Sequence, residues 1–455
     1  MSTKKHLALA VLASAALAGC GGGANNKTDD PPPARATIIT ALVAGAATAA
    51  QVDAGTAASG AQALTGKAVC DVEIRYVLYM TRDPMGLPAT ASAGVLVPKG
   101  TAAACTGERP VLLYAHGTTT TKSYNMADVQ KNGEASLLMA MYAAQGFIVV
   151  APNYLGYDKS SLSYHPYLNA EAQAIDMVDG LRAAKANLMA DSSTKPSSKL
   201  FISGYSQGGH VSMATHKIIE RDYSSEFTVT ASGSMSGPYN MVGFGDVVTG
   251  AGPVNAGATL FVPLLLTSYQ KSYGNMYAST AEAYQAPYAA SIETLFPTDT
   301  PIADLIAGGK LPADPTFTKL FGTGGLLNDS FRAGYQSSNY RKALQTNTLL
   351  GFTPKRPVAM CGGKLDPTVF YDVNTTLMSM DLKTRAAPLV AATYDLETLS
   401  TLPAGIVGQT MYGGFQQAKA AAGANAQAQY HGSLVPPFCT ALMRGFFQTV
   451  LASGQ

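Results

Sequence analysis

The sequence predicts an α/β fold, with a mostly parallel central sheet, helices against it and a helical cap inserted late in the chain. Three observations carry this. Short apolar runs at residues 110–114, 147–151 and 200–202 alternate with stretches of helical periodicity, as strands and helices do in βαβ units. The run Gly204-Tyr205-Ser206-Gln207-Gly208 stands where the third apolar run gives way to a helical pattern. From residue 238 to 354 the strand rhythm stops and aromatic, helix-leaning sequence replaces it. The expected organisation is therefore a core in two parts, residues 37–237 and 355–455, with residues 238–354 as cap or lid between core strands.

Residues 1–19 hold Lys4 and Lys5, an apolar run from Leu7 to Leu17, and the ending Leu17-Ala18-Gly19 before Cys20. This is the pattern of an export signal. The apolar run is shorter than the ~20 residues a spanning helix needs. Residues 20–36 are rich in Gly, Asn, Asp and Pro, have no apolar periodicity, and read as a flexible tether. Residues 37–65 are Ala-rich and predict a helical lead-in. Val72, Ile74, Tyr76 and Leu78 alternate with Glu73, Arg75 and Val77, and with residues 90–97 after the Gly86-Leu87-Pro88 turn they predict an antiparallel strand pair. Strand 110–114 runs into Ala115-His116-Gly117-Thr118. A helix at 135–145 stops at Gly146, and strand 147–151 leads to the turn-rich loop from Asn153 to Ser160.

His165-Pro166 precedes a helix at 169–188, then come the Ser206 turn, its helix, and a strand at 227–236. Within the cap, helical segments are expected at 260–273, 281–295, 302–306 and 330–349. The core resumes at 356–367, with a helix at 373–382 and a strand at 389–393. A Gly/Ala-rich excursion then reaches Gln429, and Tyr430-His431-Gly432 leads to a closing helix at 437–451.

Composition removes several functions. Net charge is +2 with no basic cluster, which argues against nucleic acid as a partner. Gly243 and Gly245 lie outside a strand-to-helix setting, and no phosphate-binding Gly-Lys-Ser/Thr loop exists, so nucleotide chemistry has no support. Besides Cys20 there are Cys70, Cys105, Cys361 and Cys439 without a Cys-x-x-Cys pair, which disfavours a thiolate zinc site. In an exported protein these four allow three disulfide connectivities, of which Cys70 with Cys105 and Cys361 with Cys439 is favoured.

A lone Gly-x-Ser-x-Gly is weak in so glycine-rich a chain, so partners must support it. A serine hydroxyl needs a base that titrates near neutrality, and the imidazole of His431, between the last core strand and the closing helix, is the candidate. That imidazole needs a carboxylate to fix its tautomer. Asp366, just beyond the strand at 356–361, is favoured, with Asp372 farther along as the alternative. His210 and His216 read as packing residues, His165 as a turn residue, and His116 as a shaper of the oxyanion site. Two donors are expected for a tetrahedral oxyanion: the backbone N–H of Gln207 and that of Thr118. Thr118 to Thr121 also fits a plain hydroxyl-rich turn.

The order Ser206, Asp366, His431 and the stretch from Cys70 to Leu451 resemble the α/β-hydrolase superfamily. Tyr114-Ala-His-Gly-Thr118, Ala151-Pro-Asn-Tyr-Leu-Gly156, His165-Pro-Tyr-Leu168 and Gly204-Tyr-Ser-Gln-Gly208 together are similar to the secretory lipase family, the lipase-A type. The resemblance implies an α/β-hydrolase fold with a helical cap over an acyl pocket. It also implies a serine esterase or lipase that needs no metal or cofactor and acts on a small-molecule or lipid ester. Asn153 stands where many relatives carry Asp, a position read as structural. Leu17-Ala18-Gly19-Cys20 resembles a bacterial lipoprotein signal, which implies lipidation of Cys20 and membrane contact through that anchor; Gly21 in place of Asp favours the outer membrane. Two other classes fit the same residues, a serine peptidase or acyltransferase and a non-catalytic surface-binding lipoprotein.

Overall fold

The computed structural model describes residues 34–191, 193–250, 252–399 and 405–454. The export signal, Cys20 and all but the last three residues of the expected tether lie outside them. Among the described residues the strands are β1 (Ile38–Ala47), β2 (Asp71–Arg82), β3 (Pro88–Lys99), β4 (Gly107–Ala115), β5 (Ile148–Pro152), β6 (Thr194–Tyr205), β7 (Val229–Met235), β8 (Val358–Gly362) and β9 (Val390–Asp395). They form one sheet in the order β1-β2-β3-β5-β4-β6-β7-β8-β9. The pairs from β1 to β5 along that order are antiparallel, and all pairs from β5 to β9 are parallel. A parallel strand is covered on both faces, which is why β5, β7 and β8 are buried at every residue and read as continuous apolar or small-residue runs.

The helices that matter here are α1 (Ala49–Ser59), α2 (Gly133–Met141), α3 (Ala170–Asp191), α4 (Gln207–Asp222), α5 (Met241–Thr249), α6 (Ala258–Tyr273), α7 (Asn339–Thr346), α8 (Leu377–Ala386), α9 (Gly405–Ala422) and α10 (Val435–Ala452). One core cluster joins Leu138 of α2, Phe415 of α9 and Phe447 of α10 to Leu112 and Phe201 on one sheet face. A second joins Val178 and Leu181 of α3 and Val211 and Ile219 of α4 to Leu113 and Ile202 on the other. Leu112 and Leu113, adjacent in β4, thus serve opposite layers, as the two-residue period of a strand requires. Residues of α5, α6 and α7 share a separate apolar cluster.

Several sequence expectations need correction. The lead-in is not helical from residue 37: residues 38–47 form edge strand β1, because the Ile38-Ile39 and Leu42-Val43 pairs suit extended backbone and pair with β2. The helix starts only after Thr48, whose side chain and that of Gln51 make a capping box. The expected helix 281–295 is instead three short turns, with Pro287 opening the middle one. The expected helix 330–349 breaks after Gly334. Helix α5 escaped notice because Gly243 and Gly245, each costing about 1 kcal/mol against alanine in a helix, sit inside it. The Gly/Ala-rich stretch before Gln429 includes helix α9.

Both favoured disulfides form. Cys70–Cys105 ties the start of β2 to the turn before β4, and Cys361–Cys439 ties β8 to α10.

Candidate active site

The loops after β4, β6 and β8 leave the same, carboxyl-terminal edge of the sheet and bring the candidate residues together. Ser206 sits between β6 and α4 with φ 59° and ψ −120°, a strained conformation for a residue with a side chain. The turn is possible because its flanks lack Cβ atoms: a methyl on Gly204 would overlap the carbonyl of Gly208, and one on Gly208 that of Ala115. The Ser206 N–H is spent on Met235 O at 3.0 Å, which fixes the turn against β7.

Ser206 Oγ lies 2.7 Å from His431 Nε2, and His431 Nδ1 lies 2.6 Å from Asp366 Oδ2. A carboxylate only accepts, so Nδ1 carries the proton and Nε2 is left to accept from the serine. Asp366 Oδ1 is occupied by the N–H groups of Thr368 at 2.8 Å and Val369 at 3.0 Å, which aims Oδ2 at the imidazole. The alternative acid, Asp372, is exposed and accepts from its own helical turn at Thr376. His431, placed by the sequence between the last core strand and the closing helix, is part of a helix rather than of a loop. It lies in a wide helical turn, Tyr430–Leu434, continuous with α10. Its backbone is held from two sides: Tyr205 donates to His431 O at 2.6 Å, and the neighbouring Tyr430 donates to Glu397, itself paired with Lys419.

The loop after β4 is pinned residue by residue. Tyr154 donates to His116 O, the Gly117 N–H points to the Glu134 carboxylate, and Tyr157 donates to Thr119 O. Among the described residues, the N–H groups of Thr118 and Gln207 have no hydrogen-bond partner. Thr118, Ser206 and Gln207 all line one cavity. Its empty space, mouth included, is about 770 Å³. Its walls are apolar, among them Met241, Phe244 and Val248 of α5 and Phe261, Val262 and Leu265 of α6. Among the described residues, no group of three His, Cys, Asp or Glu side chains is placed to hold a metal ion.

The remaining histidines divide. His116 sits under the loop after β4, with Nδ1 2.7 Å from Gly117 O and its ring stacked on Tyr154. His165 is more than a turn residue: its Nδ1–H donates to Leu155 O at 2.7 Å, so Nε2 accepts from the Gln207 side-chain amide at 2.6 Å. His210 and His216 are packing residues, bonded to Asn347 O and to Ser232 with Glu220. Asn153 is structural, its amide shared among Met126, Ser92 and Asn125. Sequence reasoning missed Glu134 and undervalued His165; the one usable signal was the His165-Pro-Tyr-Leu run, because nothing around Glu134 separates it from an ordinary first-turn carboxylate.

Three buried imidazoles give a pH prediction. Burial lowers the pKa of His116 and His210 to about 4 and that of His165 to about 3, so all three stay neutral in the folded chain. On unfolding each returns to about 6.5 and binds a proton. Their contribution is therefore complete above pH 6.5 and is lost as pH falls toward 4, at up to about 1.4 kcal/mol per pH unit each. Asp176, raised by burial to about 7, is protonated in the fold and offsets one of the three over that range. Urea midpoints are expected to fall steeply between pH 6.5 and 4. A His210→Gln variant should show a slope smaller by one proton; an unchanged slope contradicts this.

The mostly parallel nine-stranded sheet, with a serine turn after β6, a carboxylate after β8 and an imidazole in the turn before α10, has the form of an α/β-hydrolase. Solved structures narrow the class. The chain is 30% identical to LipA, a rice cell wall degrading esterase from Xanthomonas oryzae, over 79% of this chain and 91% of that one, with a TM-score of 0.70. A Legionella pneumophila protein, 20% identical, is similar over 91% of this chain and 98% of that one, at TM-score 0.68. Candida antarctica lipase A shares the fold at 14% identity and TM-score 0.54, over 79% of this chain and 76% of that one. No protein-family model and no curated protein sequence matches the chain. The chain belongs to the α/β-hydrolase family of esterases and lipases, and it is a carboxylic-ester hydrolase.

Proposed function

We propose that the protein hydrolyses carboxylic esters through an acyl-enzyme on Ser206. Ser206 Oγ attacks the ester carbonyl carbon as its proton passes to His431 Nε2. The tetrahedral oxyanion is held by the N–H groups of Thr118 and Gln207, and Asp366 stabilises the imidazolium. The carbon–oxygen bond to the alcohol then breaks, and His431 returns the proton to the leaving oxygen. Water attacks the acyl-enzyme with His431 again taking the proton, and release of the carboxylic acid restores the serine hydroxyl. The observation that carries this reading is the unbroken line of hydrogen bonds Ser206–His431–Asp366, with Ser206 lining an apolar cavity.

The cavity supports an apolar acyl group as the part of the substrate that is bound, with residues 238–354 acting as the cap that covers it. A series of p-nitrophenyl esters is expected to show kcat/KM rising with acyl length until the cavity is filled, with matching anilides inert. Anilides cut as fast as esters would favour the peptidase class instead. The two disulfides support an oxidising, exported location. The Leu-Ala-Gly-Cys sequence supports lipidation at Cys20, which would hold the enzyme at a membrane surface. Incorporation of a labelled fatty acid is expected in the wild type and not in Cys20→Ser; label retained by the variant would overturn the anchor.

A further inference from the structure

Thr118 Oγ1 lies 2.9 Å from the hydroxyl of Tyr167, and both residues line the cavity that holds Ser206. Among the described residues neither hydroxyl has another partner. Two hydroxyls sharing one hydrogen bond leave one proton over. Tyr167 is only 4% exposed, whereas Thr118 is half-buried at the cavity wall. A buried phenol proton without an acceptor is costly, so Tyr167 donates to Thr118 Oγ1 and the Thr118 O–H is left for the cavity.

Thr118 is also immobilised. Its preceding carbonyl, Gly117 O, is held by His116 Nδ1 at 2.7 Å, and Thr119 O after it is held by Tyr157 at 2.6 Å. Tyr167 is in turn followed by Leu168 at φ 52°, an unfavourable conformation kept where the chain bends at the cavity. A hydroxyl fixed in this way needs no reorganisation when charge develops beside it.

We propose that the Thr118 hydroxyl is a third donor to the tetrahedral oxyanion, oriented by Tyr167. This rests on the acyl-enzyme reading above. Thr118 touches the reacting oxygen and is catalytic; Tyr167 acts through it and is a positioning residue.

The test uses near-isosteric variants of the full chain, a p-nitrophenyl ester, and a trifluoromethyl ketone that forms a tetrahedral adduct with the serine. Thr118→Val keeps the backbone N–H and is expected to lower kcat about 100-fold with KM within about threefold, while Thr118→Ser stays within about fivefold of wild type. Tyr167→Phe is expected to lower kcat about tenfold, and the Thr118→Val/Tyr167→Phe double variant to be no slower than Thr118→Val. The ketone should bind Thr118→Val more weakly by the same factor as the loss in kcat/KM. A Thr118→Val kcat within about threefold of wild type, or a Tyr167→Phe effect fully retained in the Thr118→Val background, overturns the proposal. Ser206→Ala separates the two failures. If it remains active, the acyl-enzyme reading falls; if it is inactive and Thr118→Val is unimpaired, only the third donor falls.

Discussion

Ser206→Ala is expected to hydrolyse esters about a million-fold more slowly than the wild type, with an unchanged fold. The size follows from the way the three side chains act as one unit. Without Oγ there is no nucleophile for His431 to activate, and the His431–Asp366 pair has no proton to move. The residual rate is that of water in a site that still binds the ester and still offers the Thr118 and Gln207 N–H groups. Alanine also fits the strained turn at φ 59° no worse than serine does, since both carry a Cβ. Steady-state kinetics on a p-nitrophenyl ester, with circular dichroism to check the fold, measures this; a kcat within tenfold of wild type contradicts it.

Asp366→Asn is expected to cost about 10⁴ in kcat while leaving KM and stability nearly unchanged. The backbone dictates how the amide settles. Two N–H donors, from Thr368 and Val369, converge on Oδ1, so the Asn oxygen takes that place and its NH₂ faces His431 Nδ1. The imidazole must then accept at Nδ1 and carry its proton on Nε2, where it cannot receive the serine proton. Asp372→Asn is the matched control. That carboxylate is exposed, and its replacement is expected to leave kcat within twofold of wild type. Equal losses in the two variants would show that the acid had been misplaced.

The residues that the structure brings together at the candidate site were legible in the sequence because their spacing is local. A strand, a serine between glycines and a helix sit within a dozen residues, Asp366 follows a recognisable strand, and His431 precedes a recognisable helix. The disulfide pairing was legible for a related reason, since Cys70 and Cys105 bracket the opening strands and leave Cys361 and Cys439 for each other. What could not be read were the supports. Glu134 reaches Gly117 across 17 residues and His165 reaches Gln207 across 42, contacts fixed by how a loop meets the start of a helix rather than by any periodicity. His431 was legible as a candidate but not as part of a helix, because the Gly/Ala-rich sequence before it gives no apolar stripe. Between residues 238 and 354, Pro287 and Gly334 cut expected long helices into short turns, and α5, one of the helices lining the cavity, hid behind two glycines.

The central claim is that Ser206 is a nucleophile made reactive by His431. Reaction of the wild-type protein with a fluorophosphonate, followed by digestion and mass spectrometry, addresses it without a choice of ester. The expected result is one adduct per chain, on the peptide carrying Ser206, formed at least a thousand-fold more slowly in His431→Ala. No adduct, an adduct on another residue, or labelling indifferent to His431 would contradict the account.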